Sequence, residues 1–214
     1  MTKEQFEILK TLLEKLITIL TRDKPDEYLI YWMPLIAALI GATAALVPQI
    51  IMWFIKTKRQ KKEKCRELIA DAYRNSFLLV EYYKELVMHK VHKHYWYKSS
   101  TFETDSKYHD LYYERHHESS EDSFQTELRI KPLLADYVRI VKSFQIINGE
   151  NKKINSVIEE MSLFKPRKVS RFDGVPNDKL YEESVKEEDS LKKEYSRYKE
   201  FFDIINSEME KSLN

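Results

Sequence analysis

The sequence has very little glycine and almost no cysteine. Of its 214 residues, 3 are Gly and 1 is Cys, and no Gly or Pro occurs between Pro48 and Pro132. Because Gly and Pro most often interrupt helices, this composition favours long helices. The lone Cys65 excludes an intramolecular disulfide and a multi-cysteine zinc site, and suits a reducing compartment. We find no strand pattern and no internal repeat, so the predicted fold class is all-α.

Charge is missing from one long segment. From Tyr28 to Ile55, 28 consecutive residues are uncharged, whereas about 20 apolar residues suffice to cross a bilayer. The segment is much longer than the apolar core of a signal peptide and starts too late in the chain for one. Tyr31 and Trp32 near one end and Trp53 near the other have the spacing of interfacial anchors. The segment predicts a single transmembrane helix, and a buried helix of a soluble protein is the alternative.

Positive charge is concentrated directly after this segment, in a stretch that we call the basic collar. Its seven basic residues are Lys56, Lys58, Arg59, Lys61, Lys62, Lys64 and Arg66. From Glu67 onward, 24 Lys and Arg stand against 28 Asp and Glu, a net charge of −4. This asymmetry predicts a single-pass protein of the cell inner membrane, with the N-terminus outside and the C-terminal domain in the cytoplasm. The lipid bilayer is therefore an expected partner, and nucleic acid is not.

Small residues recur within the predicted span. Ala37, Gly41 and Ala45 are four residues apart, a spacing that lets two helices approach closely, so we expect a homo-oligomer. The alternative is that Ala and Gly are simply frequent in membrane helices. Thr43 and Gln49 are candidate pore-lining residues. They are separated by about 120° around the helix, so they do not share one face.

The sequence divides into four predicted regions. Residues 1–27 form an amphipathic helix, which lies on the membrane or packs in an oligomer, and its apolar positions are Phe6, Leu9, Leu13, Leu16 and Leu20. Residues 28–55 are the transmembrane helix and 56–98 a basic juxtamembrane long helix, whose core positions are Leu68, Ile69, Ala72, Leu79, Tyr83, Leu86 and Val87. Residues 99–214 form a cytoplasmic helical domain, with helices at 124–147, 151–164 and 178–213. We expect loops at 99–123, around a short helical stretch, and at 165–178.

All six histidines lie between positions 89 and 117. Only His89 and His92 have a chelating helical spacing, and no HExxH motif is present, so solvated or interface histidines are preferred to a metal site. No phosphate-binding glycine loop, nucleophile elbow or Cys–His arrangement occurs either. We therefore expect no enzymatic activity, no cofactor and no metal.

Two basic clusters lie in the C-terminal half. Around His94, basic residues alternate with aromatic ones, a pattern typical of single-stranded nucleic-acid binding or of the end of a helical bundle. The second cluster consists of Lys165, Arg167, Lys168 and Arg171. It could meet lipid headgroups, a nucleotide or an acidic partner.

The order of these regions resembles the small single-span membrane effectors of bacterial antiphage systems, such as the accessory membrane pore protein of type VI-B CRISPR systems. The resemblance covers the architecture of the whole chain and no motif residues. It implies a homo-oligomeric pore and a cytoplasmic defence-system partner. The arginine–histidine motif discussed for that family is not matched, because no Arg is followed by His after four to six residues. A ribonuclease role is therefore not implied.

Two functions follow as alternatives. The first is a homo-oligomeric pore or channel-like effector that perturbs the inner membrane in antiviral defence. The second is a membrane-tethered helical scaffold or sensor that binds a cytoplasmic partner. The small-residue stripe and the N-terminal amphipathic helix favour the first, and the absence of a continuous polar stripe in the span favours the second.

Overall fold

Most of the residues that the structure describes are helical. The computed structural model describes residues 7, 10, 11, 14, 15, 18 and 27–213, and gives only the backbone of 27–33, 36, 39, 43 and 45. The six described residues before Glu27 are helical, and Thr11 Oγ1 donates to the carbonyl of Glu7 at 2.8 Å. The predicted apolar face of this N-terminal helix lies outside the described residues.

Four long helices follow in the described chain. They are α1 (Glu27–Phe102), α2 (Ser106–Asn148), α3 (Lys152–Leu163) and α4 (Leu180–Lys211), and a 3-10 turn at Asn177–Lys179 precedes α4. No strand occurs between residues 27 and 213. The predicted all-α fold class is confirmed.

The helix ends follow from local capping chemistry. The Asp105 side chain accepts from the Lys107 amide at 3.0 Å, and the Asn151 side chain accepts from the Lys153 amide at 2.9 Å. Each bond satisfies an amide at a helix N-terminus. Gly149 ends α2 with φ 102°, a conformation that strains residues carrying a Cβ, and its amide donates to Gln145 at 2.8 Å.

The predicted loop at 99–123 is wrong, because helix covers all of it except residues 103–105. The buried face of α2 begins with Ser119, Ser123 and Thr126, which are small and polar and so hide the usual apolar period. Pro132 also lies well inside this helix. Beyond it, Tyr137, Val141 and Phe144 are buried, whereas Leu128 before it is 46% exposed.

The main core joins all four helices. The seven predicted core positions of α1 are all buried, and six of them pack in this core together with Cys65. They meet Tyr137 and Phe144 from α2, Ile154 from α3, and Phe202 and Ile205 from α4. Burial of this apolar surface is the main source of the bundle's stability.

A smaller core lies farther along α1. Val87, Val91, Phe172, Leu180 and Leu191 are buried together there. Phe172 contributes from the segment between α3 and α4, where it takes a φ of 56°. A non-glycine residue in this conformation is held in place by its surroundings, here by burial to 4% exposure.

The chain divides into two compact units, residues 1–58 and 59–214. The second unit contains both cores in full. It therefore has the buried apolar surface of an independent helical domain.

Candidate functional site

The first functional element is the apolar part of α1. It contains an 18-residue window of mean hydropathy 1.4 in which no residue is buried. Leu46, Ile50 and Phe54 are all more than half exposed. One helix in the described part of the chain is thus long and apolar enough to cross a membrane, and its apolar surface is not packed inside the protein.

The structure describes the side chains of some residues of the predicted span and only the backbone of others. Ala37 and Gly41 are exposed, and a Cβ built on Gly41 would meet no atom within 4 Å. Gln49 is also exposed. The side chains of Thr43 and Ala45 lie outside the described residues, as do those of Tyr28, Tyr31 and Trp32. Their roles in lining or packing remain predictions.

The basic collar is exposed along its whole length. All seven of its basic side chains are exposed, and they share helix α1 with the apolar segment that precedes them. Arg59 pairs with Glu63 at 3.0 Å and Lys64 with Glu67 at 3.1 Å. The other five make no ion pair within the part of the chain that the structure describes.

Cys65 differs from its basic neighbours because it faces inward. Its side chain is fully buried in the main core. Burial raises the pKa of the Cys65 thiol, although the nearby Lys61 charge lowers it. A buried neutral thiol reacts slowly, so this residue packs as a small apolar side chain and does not serve as a reactive group.

The second functional element is a cavity of about 630 Å³ in the helical bundle. Residues from α1, α2, α4 and the segment between α3 and α4 line it. We call it the basic cavity, because its walls include Lys90, Lys93, His94, Arg167, Lys168 and Arg171. Its volume is in the range of small-molecule sites in proteins.

The basic cavity unites the two basic clusters that the sequence presents separately. Lys93 and His94 come from α1, and Lys168 and Arg171 come from the segment that follows α3. Roughly 75 positions separate the clusters in the sequence, so no local pattern could place them together. Tertiary packing alone creates this site.

Two of the basic side chains already have carboxylate partners. Lys90 pairs with Glu127 at 2.7 Å. Arg167 donates to both oxygens of Glu187, at 2.6 and 2.9 Å, and lies 3.5 Å from Glu194. In contrast, Lys93, Lys168 and Arg171 make no ion pair with any described residue.

Glu187 and Glu194 of α4 also bind the backbone of the 164–176 segment. Glu194 accepts from the Arg167 amide at 2.8 Å, and Glu187 accepts from the Ser170 amide at 2.8 Å. The Arg167 hydrogen bond is the main cause that lowers the pKa of the Glu187 carboxyl. The loop predicted at 165–178 is confirmed as irregular structure up to residue 176, where the 3-10 turn follows. These hydrogen bonds hold it against α4.

His94 reports the electrostatics of the cavity. Burial lowers its pKa first, and the positive charges of Lys93 and Arg171 lower it further, against a smaller opposite effect of Asp173. The imidazole is consequently neutral near pH 7, with one nitrogen able to donate and one able to accept. The field at this point favours a negative group over an added proton.

The other histidines mostly lie against neighbouring helices. His89 approaches Asp122 at 3.7 Å, and His116 Nδ1 contacts the Lys93 carbonyl at 2.9 Å. Among the described residues, no group of three or more His, Cys, Asp or Glu side chains is arranged to hold a metal ion. The histidines of this region thus join α1 to its neighbours.

A second cavity, of about 450 Å³, has a different chemistry. It lies between α1 and α4, and its walls include Phe77, Val80, Tyr83 and Phe202. Tyr83 stacks on Tyr198 at 4.3 Å, and burial raises its pKa. The remaining walls carry charges of both signs, Glu81 and Asp203 together with Lys84, Lys192 and Lys199, so this cavity selects less strongly for an anion than the basic cavity does.

Comparison with known proteins adds no assignment, because no protein-family model, no curated protein and no solved structure matches this chain.

Proposed function

We propose that this chain is a membrane-tethered helical sensor whose cytoplasmic bundle receives an anionic ligand. The observation that carries this proposal is the contrast between an exposed apolar helix and a bundle that contains its own complete core. An apolar segment that is not packed in protein is stabilised by lipid. A bundle with its own core does not need the membrane to fold.

The basic collar supports one orientation of the tether. Its exposed cations directly follow the apolar segment in α1, where they would meet the anionic surface of the inner leaflet. The positive-inside bias then puts the bundle in the cytoplasm and residues 1–27 outside. In this arrangement the basic cavity is open to cytoplasmic ligands.

The orientation is tested with introduced cysteines, because Cys65 is buried and a poor reporter. In a Cys65→Ala background, Ser162→Cys places a thiol at an exposed position near the end of α3. A membrane-impermeant maleimide should label it only after the cells are permeabilised. Thr2→Cys is the matched reporter for the other side and should be labelled in intact cells. The opposite pattern would reverse the orientation, and extraction of the protein by alkaline carbonate would refute the tether.

A homo-oligomeric pore is the second candidate. It is favoured by the uncovered face at Ala37 and Gly41, where a partner helix could approach closely. Gly41→Leu should then lower the oligomer mass measured in detergent and suppress dye leakage from vesicles. Ala42→Leu places the same leucine side chain about 100° around the helix and is the control. If both variants keep the wild-type mass, this face does not mediate assembly.

A further inference from the structure

We propose that the basic cavity binds a phosphate-bearing small molecule, and that this compound is the anionic ligand of the proposed sensor. The inference rests on the proposed function only for the biological role of the ligand. Binding itself depends on the cavity, whether or not α1 crosses a membrane.

Several cations of the basic cavity have no acidic partner. The cations of Lys93, Lys168 and Arg171 line one cavity without an ion pair to any described residue. Glu121 is the one carboxylate in the lining that pairs with no cation among the described residues. It accepts a hydrogen bond from the Gln125 side chain at 2.6 Å. The domain beyond the collar has more acidic than basic residues, so an excess of positive charge at the cavity departs from the overall charge of the domain. Phosphate groups are the anions that several converging Lys and Arg side chains bind best.

Two of these cations lie on a segment that is already held in place. Lys168 and Arg171 flank the backbone amide of Ser170, which Glu187 holds at 2.8 Å, and Phe172 is buried next to them. The segment that carries both cations is therefore fixed before a ligand arrives. Binding then loses less conformational entropy than it would with a mobile loop.

The walls of the basic cavity combine polar and apolar residues. The lining residues include Ser120 and Tyr195, which carry hydroxyl groups, and Val87, Leu191 and Phe124, which are apolar. Phe124 is 54% exposed and can stack on a planar ring. A cavity of about 630 Å³ with these walls fits a nucleotide-sized molecule better than a bare inorganic anion.

Two sources could supply the same phosphate chemistry, a soluble nucleotide or the headgroup of an anionic lipid. The experiment uses the purified full-length protein in nanodiscs of phosphatidylcholine, with calorimetric titration of ATP, of adenosine and of inositol trisphosphate. ATP binding with no adenosine binding points to a soluble nucleotide. Preferential binding of inositol trisphosphate points to a lipid headgroup. Either result supports the cavity as a phosphate site.

Charge-removing variants locate the binding. Lys168→Gln and Arg171→Gln should each weaken binding by about tenfold or more, because each removes a charge-assisted contact. Neither side chain has a partner within the described structure, so circular dichroism and the thermal midpoint should remain those of the wild type. Lys165→Gln removes the same charge from an exposed residue of the same segment that does not line the cavity, and it should change affinity less than about twofold.

Three results would overturn the proposal. The first is no binding of ATP or inositol trisphosphate to folded protein. The second is binding that Lys168→Gln, Arg171→Gln and Lys165→Gln weaken equally, since this would indicate a diffuse surface charge. The third is binding of a single-stranded oligonucleotide that neither small phosphate displaces, since this would assign the surface to nucleic acid. Each of these results leaves the membrane tether intact, whereas protein that binds ATP but is not held in membranes would refute only the tether.

Discussion

The apolar segment of α1 and the bundle contain similar apolar side chains, which are exposed in the first and buried in the second. Phe54 in the first is 54% exposed, whereas Phe202 in the second is 1% exposed. Both regions are helical, so secondary structure does not distinguish them. The difference shows that the environment of each helix face has to be read from packing, because composition alone gives similar answers for a membrane span and a core helix.

The largest test of this comparison is to separate the two regions. A chain of residues 59–214 contains both cores, so it should be found in the soluble fraction with a helical circular dichroism spectrum and a cooperative thermal transition. The full-length chain should stay in the membrane pellet after a carbonate wash. A 59–214 fragment without cooperative unfolding would show that the bundle depends on the apolar segment.

A matched pair of phenylalanine truncations compares the regions directly. Phe202→Ala should lower the free energy of unfolding of the bundle by about 3–5 kcal/mol, because it leaves a cavity beside Tyr137 in the main core. Phe54→Ala should change it by less than about 0.5 kcal/mol, since Phe54 is 54% exposed and is not a member of either core. Urea titration in detergent, followed by circular dichroism, measures both values. Equal losses would contradict the separation of the two regions.

Most of the fold follows from local patterns, because a long uncharged run predicts the apolar helix and large apolar residues at helical spacing predict the core faces. The seven core positions predicted in α1 are buried for this reason. The start of α2 escaped prediction because Ser119, Ser123 and Thr126 form its buried face, and small hydroxyl residues also signal loops.

The candidate site was less accessible to sequence reasoning. Both basic clusters are visible in the sequence, but their meeting in one cavity depends on how the segment after α3 packs against α1 and α4. The pairing of Arg167 with Glu187, and the lack of a partner for Lys168, are likewise tertiary facts. Pore formation, the defence-system partner and the absence of enzymatic activity remain predictions.

Buried and exposed polar contacts of the bundle can be compared in the same way. Asn206 accepts from the Tyr137 hydroxyl at 3.1 Å and donates to Ser76 at 3.0 Å, and its side chain is 1% exposed. Asn206→Ala should lower the free energy of unfolding by about 1–3 kcal/mol, because it leaves buried polar groups without partners. Asn148→Ala removes an exposed bond to the Ser212 carbonyl and should cost about 1 kcal/mol or less. Denaturant titration that ranks the two in the reverse order would refute the role of the network.

The smallest expected effect concerns acid stability and compares carboxylates of the bundle and the collar. Arg167 lowers the pKa of the Glu187 carboxyl in the folded protein. A carboxyl with a lowered folded-state pKa stabilises the fold above its unfolded value, about 4.3 for Glu, and this contribution is lost as the pH falls through the folded-state value. Urea midpoints measured between pH 7 and pH 3 should therefore fall less steeply for Glu187→Gln than for the wild type.

The control for the acid-stability experiment is Glu63→Gln, which removes the partner of Arg59 in the collar. Both side chains of that pair are more than half exposed, so the ion pair contributes little to stability. The pH dependence of this variant should match that of the wild type. An identical pH dependence in all three proteins would mean that the Glu187 contact does not stabilise the bundle, and that the segment carrying Lys168 and Arg171 is held mainly by the burial of Phe172.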